Sequence, residues 1–181
     1  MLVRYSPRYG LPRLWLMTDE RMGDALWPSL AALPKGSGVI FRHYGASDRK
    51  VLFKAVQRIA RARRLVLVVA GPERLAKTWR ASGSHGRSAH HPQGLRTTPV
   101  HNHRERVAAE RAGADLLFVS PVFATRSHAG AKALGRVRFG LLIREANVPV
   151  IALGGMTKAR ARSLRDLGIY GWAAISALAV S

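Results

Sequence analysis

Short apolar runs alternate with longer segments of helical period along this chain, and that alternation restricts its fold more than any other feature. Leu14-Trp15-Leu16-Met17 precedes a helical stretch over residues 24–33, and Gly38-Val39-Ile40-Phe41 precedes an amphipathic one opened by Ser47-Asp48. In the latter, Val51, Leu52, Ala55, Val56 and Ile59 share one helical face, with Lys and Arg opposite. Leu65-Val66-Leu67-Val68-Val69-Ala70 is apolar throughout, as a strand covered on both faces must be. A short helix over 73–79 follows. Strands at 98–100, 116–119, 148–153 and 171–175 then alternate with helices over 103–112, 139–146 and 158–167. The count, about eight strands against six or seven helices, predicts a shortened (β/α)8 barrel built as a single domain over 1–181, with a doubly wound open sheet as the runner-up. The stretch 81–96 lacks an apolar period and is rich in Gly, Ser, His and Arg. It reads as an irregular basic loop carrying His85, His90 and His91, exposed and not a metal site because no carboxylate is near.

Composition narrows the function classes. Of 181 residues, 48% are apolar, too many for a disordered basic tail. With no cysteine, a disulfide scaffold, a thiolate metal site and a Cys nucleophile are excluded. No apolar run approaches the roughly 20 residues that span a bilayer, and residues 1–12 lack a secretory apolar stretch, so a soluble cytoplasmic protein is expected. Lys and Arg number 30 against 10 Asp and Glu, a formal charge of +20. Such a balance suits phosphorylated small molecules, nucleic acid or an anionic surface. The basic residues are spread along the chain and form no nucleic-acid arm. Lys158, Arg160, Arg162 and Arg165 read as a solvated helix face, and Trp15, Trp27, Trp79 and Trp172 as core or interface residues.

Two strand ends carry the chemistry. One run ends in Gly154-Gly155 ahead of Met156-Thr157, and the last strand ends in Ile175-Ser176. In a barrel, the loops after strands seven and eight form a phosphate site, because glycine lets backbone N–H groups approach the anion. Asp19, just after the first strand, is either a ligand or a local cap.

The chain resembles the thiamine phosphate synthase/TenI family of (β/α)8 barrels. The likeness is strongest from Val100 to Leu178: His101-Asn102 with Glu105, Ala112-Gly113-Ala114-Asp115, Pro121-Val122-Phe123-Ala124-Thr125, Val148 through Thr157, and Ala173 through Leu178. Leu14 to Asp19 is similar to the family's first strand. The resemblance implies condensation of a pyrimidine methyl diphosphate with a thiazole phosphate, releasing diphosphate with the help of Mg²⁺. Thr125 and Ser127 would then offer hydroxyls, and Gly154, Gly155, Ile175 and Ser176 backbone N–H groups, to the thiazole phosphate. Arg42 would lie near the diphosphate, and His128 takes the place of a diphosphate-binding lysine.

The chain departs from the family where Mg²⁺ is implied. Ala70-Gly71 stands where synthases carry Asn-Asp, no Asp or Glu occurs between Arg74 and Arg104, and Tyr44 and Pro99 replace a lysine and a serine. No metal ligands are therefore found in the sequence. Pro121 stands where TenI tautomerases carry their catalytic histidine, and His101 and His128 read as solvated or supporting histidines. Two alternatives remain open: a TenI-like enzyme or regulator that binds thiazole phosphate without synthase activity, and a basic polyanion- or RNA-binding protein on an inherited barrel.

Overall fold

Each apolar run becomes a strand, and the strands close on one another in chain order. The computed structural model describes residues 10–87, 94–125 and 132–179. Its strands are β1 (Leu14–Met17), β2 (Gly38–Phe41), β3 (Val66–Ala70), β4 (Gly83–His85), β5 (Leu95–Val100), β6 (Leu116–Val119), β7 (Val150–Ala152) and β8 (Gly171–Ala174). All pairings are parallel, and β8 returns to β1 to complete a barrel. The helices are α1 (Leu26–Ala32), α2 (Arg49–Ala62), α3 (Glu73–Trp79), α4 (His103–Arg111), α5 (Gly135–Ile143) and α6 (Lys158–Ser163). This is the (β/α)8 architecture that the alternation predicts.

Strand alternation divides the apolar side chains between two layers. Trp15, Met17, Ile40, Val68, Phe118 and Ile151 point inward and fill the barrel. Leu16, Val39, Phe41 and Val69 point outward beneath the first helices, and Leu117, Val119, Val150 and Ala152 beneath the later ones. Inside, Trp15 meets Phe118 edge-on with ring centroids 5.3 Å apart. Gly38 lies opposite Trp15 in the β1–β2 register. A Cβ on Gly38 would sit 2.1 Å from the indole, so the indole occupies the space a side chain would need. Trp79 is also buried, while Trp27 and Trp172 pack against the outer layer.

The stretch read as an irregular basic loop over 81–96 is corrected by the structure. Gly83-Ser84-His85 forms β4, paired to β3 and β5, and β5 begins at Leu95, three residues before the expected start. Three residues are too few to show a period, and Gly, Ser and His disfavour the assignment of a strand from composition. Pairing on both sides supplies what propensity lacks. His90 and His91 lie outside the described residues. The helix expected over 158–167 is also shorter: α6 ends at Ser163 and a 3₁₀ turn covers Arg165–Leu167.

Candidate functional site

The strand C-termini open onto a cavity of about 740 Å³. Arg42, Thr125, Gly154, Gly155, Ile175 and Ser176 all line it, so the chain brings residues from four separate segments to one place. Ser127 and His128 lie outside the described residues. Lys132, Arg160 and His101 complete the polar lining with Ser120 and Thr157, and no carboxylate among the described residues lines the cavity.

Gly154 and Gly155 form the floor because no other residue fits there. Both have positive φ, 95° and 60°. A Cβ on Gly154 would lie 2.7 Å from Pro121 Cα, and one on Gly155 would lie 2.5 Å from the Ala124 carbonyl oxygen. The loop after β6 and the loop after β7 therefore touch backbone to backbone, and Phe123 N–H donates to Gly154 O at 3.1 Å. Thr157 then caps α6, its hydroxyl accepting from Arg160 N–H at 3.2 Å.

Lys158, Arg160, Arg162 and Arg165 are exposed, as expected of a solvated face, but Arg160 also reaches the cavity. Its guanidinium turns back from the first turn of α6, donates to Gly155 O at 2.5 Å and lies 4.7 Å above the Phe123 ring. Its position three residues after the Thr157 cap was the available signal, but side-chain direction is not written in spacing. Lys132 carries no motif at all.

Arg42 directly follows β2 and is held from two sides. Its Nη2 donates to Asp19 Oδ2 at 2.8 Å and its Nε to the Thr18 carbonyl at 3.3 Å. Asp19 also takes a two-point contact from Arg21, at 2.5 and 2.8 Å, and caps its own turn by accepting from Arg21 N–H. The hydrogen bonds from Arg21, with Arg42 adding its charge, hold the Asp19 carboxyl well below the usual carboxylate range against the opposing effect of burial. Asp19 is thus both a cap and an anchor for Arg42.

His101 also joins the cavity, where the sequence suggests only a solvated or supporting ring. Its Nδ1 lies 2.7 Å from the Ser120 carbonyl oxygen, which can only accept, so Nδ1 carries the hydrogen. Its backbone N–H donates to Glu105 Oε2 at 2.8 Å, while Asn102 Oδ1 accepts from Glu105 N–H at 2.9 Å. The His101-Asn102 and Glu105 motif is therefore a reciprocal cap that sets the start of α4.

On the opposite rim, Ala70-Gly71 ends β3. The Ala70 side chain is buried, and its carbonyl accepts from Arg49 Nη2 at 2.7 Å. The Arg49 guanidinium stacks near Phe41, Tyr44 and Trp79, 5.2 to 5.7 Å from their ring centroids. Hard oxygen donors are what Mg²⁺ requires. Here backbone groups and a guanidinium occupy the position, and the described residues contain no group of three His, Asp or Glu able to hold a metal. The residues present do not fit the ion.

His85 is the buried titratable group beneath this rim, and the expectation of an exposed loop histidine is overturned. Its Nδ1 lies 2.8 Å from Thr97 Oγ1, and its ring meets Phe118 edge-on. Burial, with Arg42 adding like charge, pushes its pKa down to about 3. The folded protein thus keeps this ring neutral while the unfolded chain protonates it near pH 6.5. Stability is lost as pH falls from about 6.5 to about 3, at up to about 1.4 kcal/mol per pH unit. Urea unfolding at pH 7.5, 6 and 5 checks this: His85→Asn should show a shallower acid slope than the parent chain, and equal slopes would contradict it.

Comparison with known proteins agrees with this geometry. Residues 16–178 match the family model described as thiamine monophosphate synthase. A thiamine-phosphate synthase of Geobacillus kaustophilus is 31% identical over 156 residues, covering 80% of this chain and 69% of that one. One from Chlorobium phaeobacteroides is 28% identical, covering 92% of this chain and 88% of that one. Among solved structures, thiamine phosphate pyrophosphorylase from Pyrococcus furiosus superposes with a TM-score of 0.75 at 22% identity, covering 94% of this chain and 88% of that one. At that identity the superposition speaks for the barrel alone, while the sequence match, carried through nearly every strand and both glycine and serine strand ends, places the chain in the thiamine monophosphate synthase family.

Proposed function

We propose that the chain is a thiamine phosphate synthase, joining hydroxymethylpyrimidine diphosphate to thiazole phosphate to give thiamine phosphate and diphosphate. The observation that carries this reading is the single cavity in which Thr125, Gly154, Gly155 and Ser176 face Arg42. Among the described residues, the N–H groups of Gly154, Gly155 and Ser176 donate to no other group, which leaves them available to a phosphate monoester. Ser127 belongs to the same set by resemblance, as His128 does to the diphosphate end.

In the reaction the thiazole nitrogen contributes its lone pair to a new N–C bond at the pyrimidine methylene carbon. The C–O bond to diphosphate breaks, and its electron pair leaves on the diphosphate oxygen. No proton transfer or redox partner is needed. The protein's work is to align the two substrates, so that remote phosphate binding fixes the nucleophile, and to stabilise negative charge on the leaving group. Arg42 is suited to the second task, because Asp19 and Thr18 hold its guanidinium in place before substrate arrives. The apolar barrel interior, to which Ile40 and Phe118 belong, strengthens charge interactions at its mouth.

The substrates are small and phosphorylated, consistent with the +20 charge of the chain. Among the described residues no helix is long and apolar enough to cross a membrane, and we place the protein in the cytoplasm as one domain over 1–181. A turnover assay with both substrates tests the reading. Arg42→Gln should lower kcat/KM by about a hundredfold while the melting temperature changes little. Product formation unaffected by this substitution would remove Arg42 from the chemistry, and a folded parent chain that makes no thiamine phosphate would remove the synthase assignment.

A further inference from the structure

The end of β3 holds a guanidinium where the resemblance implies a metal. We infer that this chain binds the diphosphate end of its substrate through guanidinium charge, with Arg49 and Arg42 together, and that this binding does not depend on Mg²⁺. The inference rests on the synthase reading for the identity of the substrate, but its binding chemistry can be tested separately.

The β2–β3 register brings the two arginines to one level. Phe41 pairs with Val69, so Arg42 and Ala70 are the next residues on adjacent strands. Arg49 reaches the same edge from the first turn of α2 and donates to the Ala70 carbonyl. Its Nε is buried and has no hydrogen-bond partner among the described residues, and three aromatic rings restrict the plane of its head group. A charge held in that way need not be reorganised when an anion arrives.

The balance of charge points the same way. Every one of the ten Asp and Glu residues lies within the described segments, and none lines the cavity. Asp19, beside Arg42, is shared with Arg21, so the three side chains together remain positive. Arg42, Lys132 and Arg160 line the cavity, and Arg49 stands at the end of β3, the strand next to the one that Arg42 follows. A divalent cation entering there would meet like charge with no carboxylate to offset it. Mg²⁺ would instead act in solution, by pairing with free diphosphate and reducing the charge available to the arginines. Added Mg²⁺ should therefore leave diphosphate binding unchanged or weaken it. The carboxylate nearest in sequence to β3 is Glu73, in the first turn of α3, and it serves as the control.

Calorimetric titration of the full chain with inorganic diphosphate, in chelator and again in excess Mg²⁺, is the test. Saturable binding in chelator is expected, no tighter when Mg²⁺ is present. Arg49→Met keeps the packing stem but removes the charge, and should weaken binding about tenfold or more. Glu73→Gln should leave it unchanged, and thermal melts of both variants show that they are folded. Binding seen only with Mg²⁺, binding that Mg²⁺ strengthens and Glu73→Gln abolishes, or no diphosphate binding under either condition overturns the inference. Metal-free diphosphate binding without thiamine phosphate formation would instead uphold it and defeat the synthase reading. Turnover together with diphosphate binding that occurs only in Mg²⁺ would do the reverse.

Discussion

Gly155→Val is expected to lose affinity for thiazole phosphate by at least about a hundredfold, roughly 2.8 kcal/mol. Gly155 has φ of 60°, a region that a β-branched residue enters only under strain. That strain is about 1–3 kcal/mol, and the added side chain meets the Ala124 carbonyl oxygen at 2.5 Å and Phe123 Cβ at 3.0 Å. Neither neighbour is a flexible tip. The loop after β7 must move away from the loop after β6, and the N–H groups of Gly154 and Gly155 move with it. Because these loops lie at the barrel mouth, outside the packed interior, the variant should still fold. Calorimetry with thiazole phosphate, beside a thermal melt, measures both properties. Undiminished affinity in the folded variant would mean that the phosphate binds elsewhere.

Phe118→Ala is expected to cost about 3–5 kcal/mol of stability, a large share of the 5–15 kcal/mol typical of a domain. Phe118 is fully buried on β6 and touches Trp15 and His85, contributed by β1 and β4. Its ring therefore joins three non-adjacent strands across the barrel interior. The loss combines burial of the ring with the cavity left behind. Urea unfolding monitored by tryptophan fluorescence gives the value. A change below about 1 kcal/mol would contradict the packed interior, since a fully buried phenylalanine cannot be removed so cheaply from a close-packed core.

Where an apolar run was four residues or longer, its strand could be read directly from the chain. Leu14–Met17, Gly38–Phe41 and Leu116–Val119 match their expected bounds, because a parallel strand covered on both faces has nothing polar to confuse its ends. β4 could not be read, since Gly83, Ser84 and His85 become a strand through pairing with β3 and β5 and not through propensity. The same strand explains the misplaced His85, a ring whose environment comes from Thr97 and Phe118, 12 and 33 positions away.

The candidate site divides along similar lines. Arg42, Gly154, Gly155, Ile175 and Ser176 sit at strand ends, and the barrel brings all strand C-termini to one face, so their convergence follows from topology. Arg160 and Lys132 reach the same cavity, and Arg49 the end of β3, through side-chain direction, which depends on what each one packs against. Arg160 turns toward Gly155 and Phe123, and Arg49 toward Ala70 and three rings. Those contacts bring together residues that no spacing in the chain relates.

Amide NMR during titration of thiazole phosphate into the parent chain shows whether the loops after β7 and β8 hold its phosphate. The N–H resonances of Gly154, Gly155 and Ser176 should move together and saturate with one ligand bound. Saturable binding that leaves these three resonances unmoved, or shifts confined to the basic helix exterior and abolished by salt, would contradict phosphate binding there.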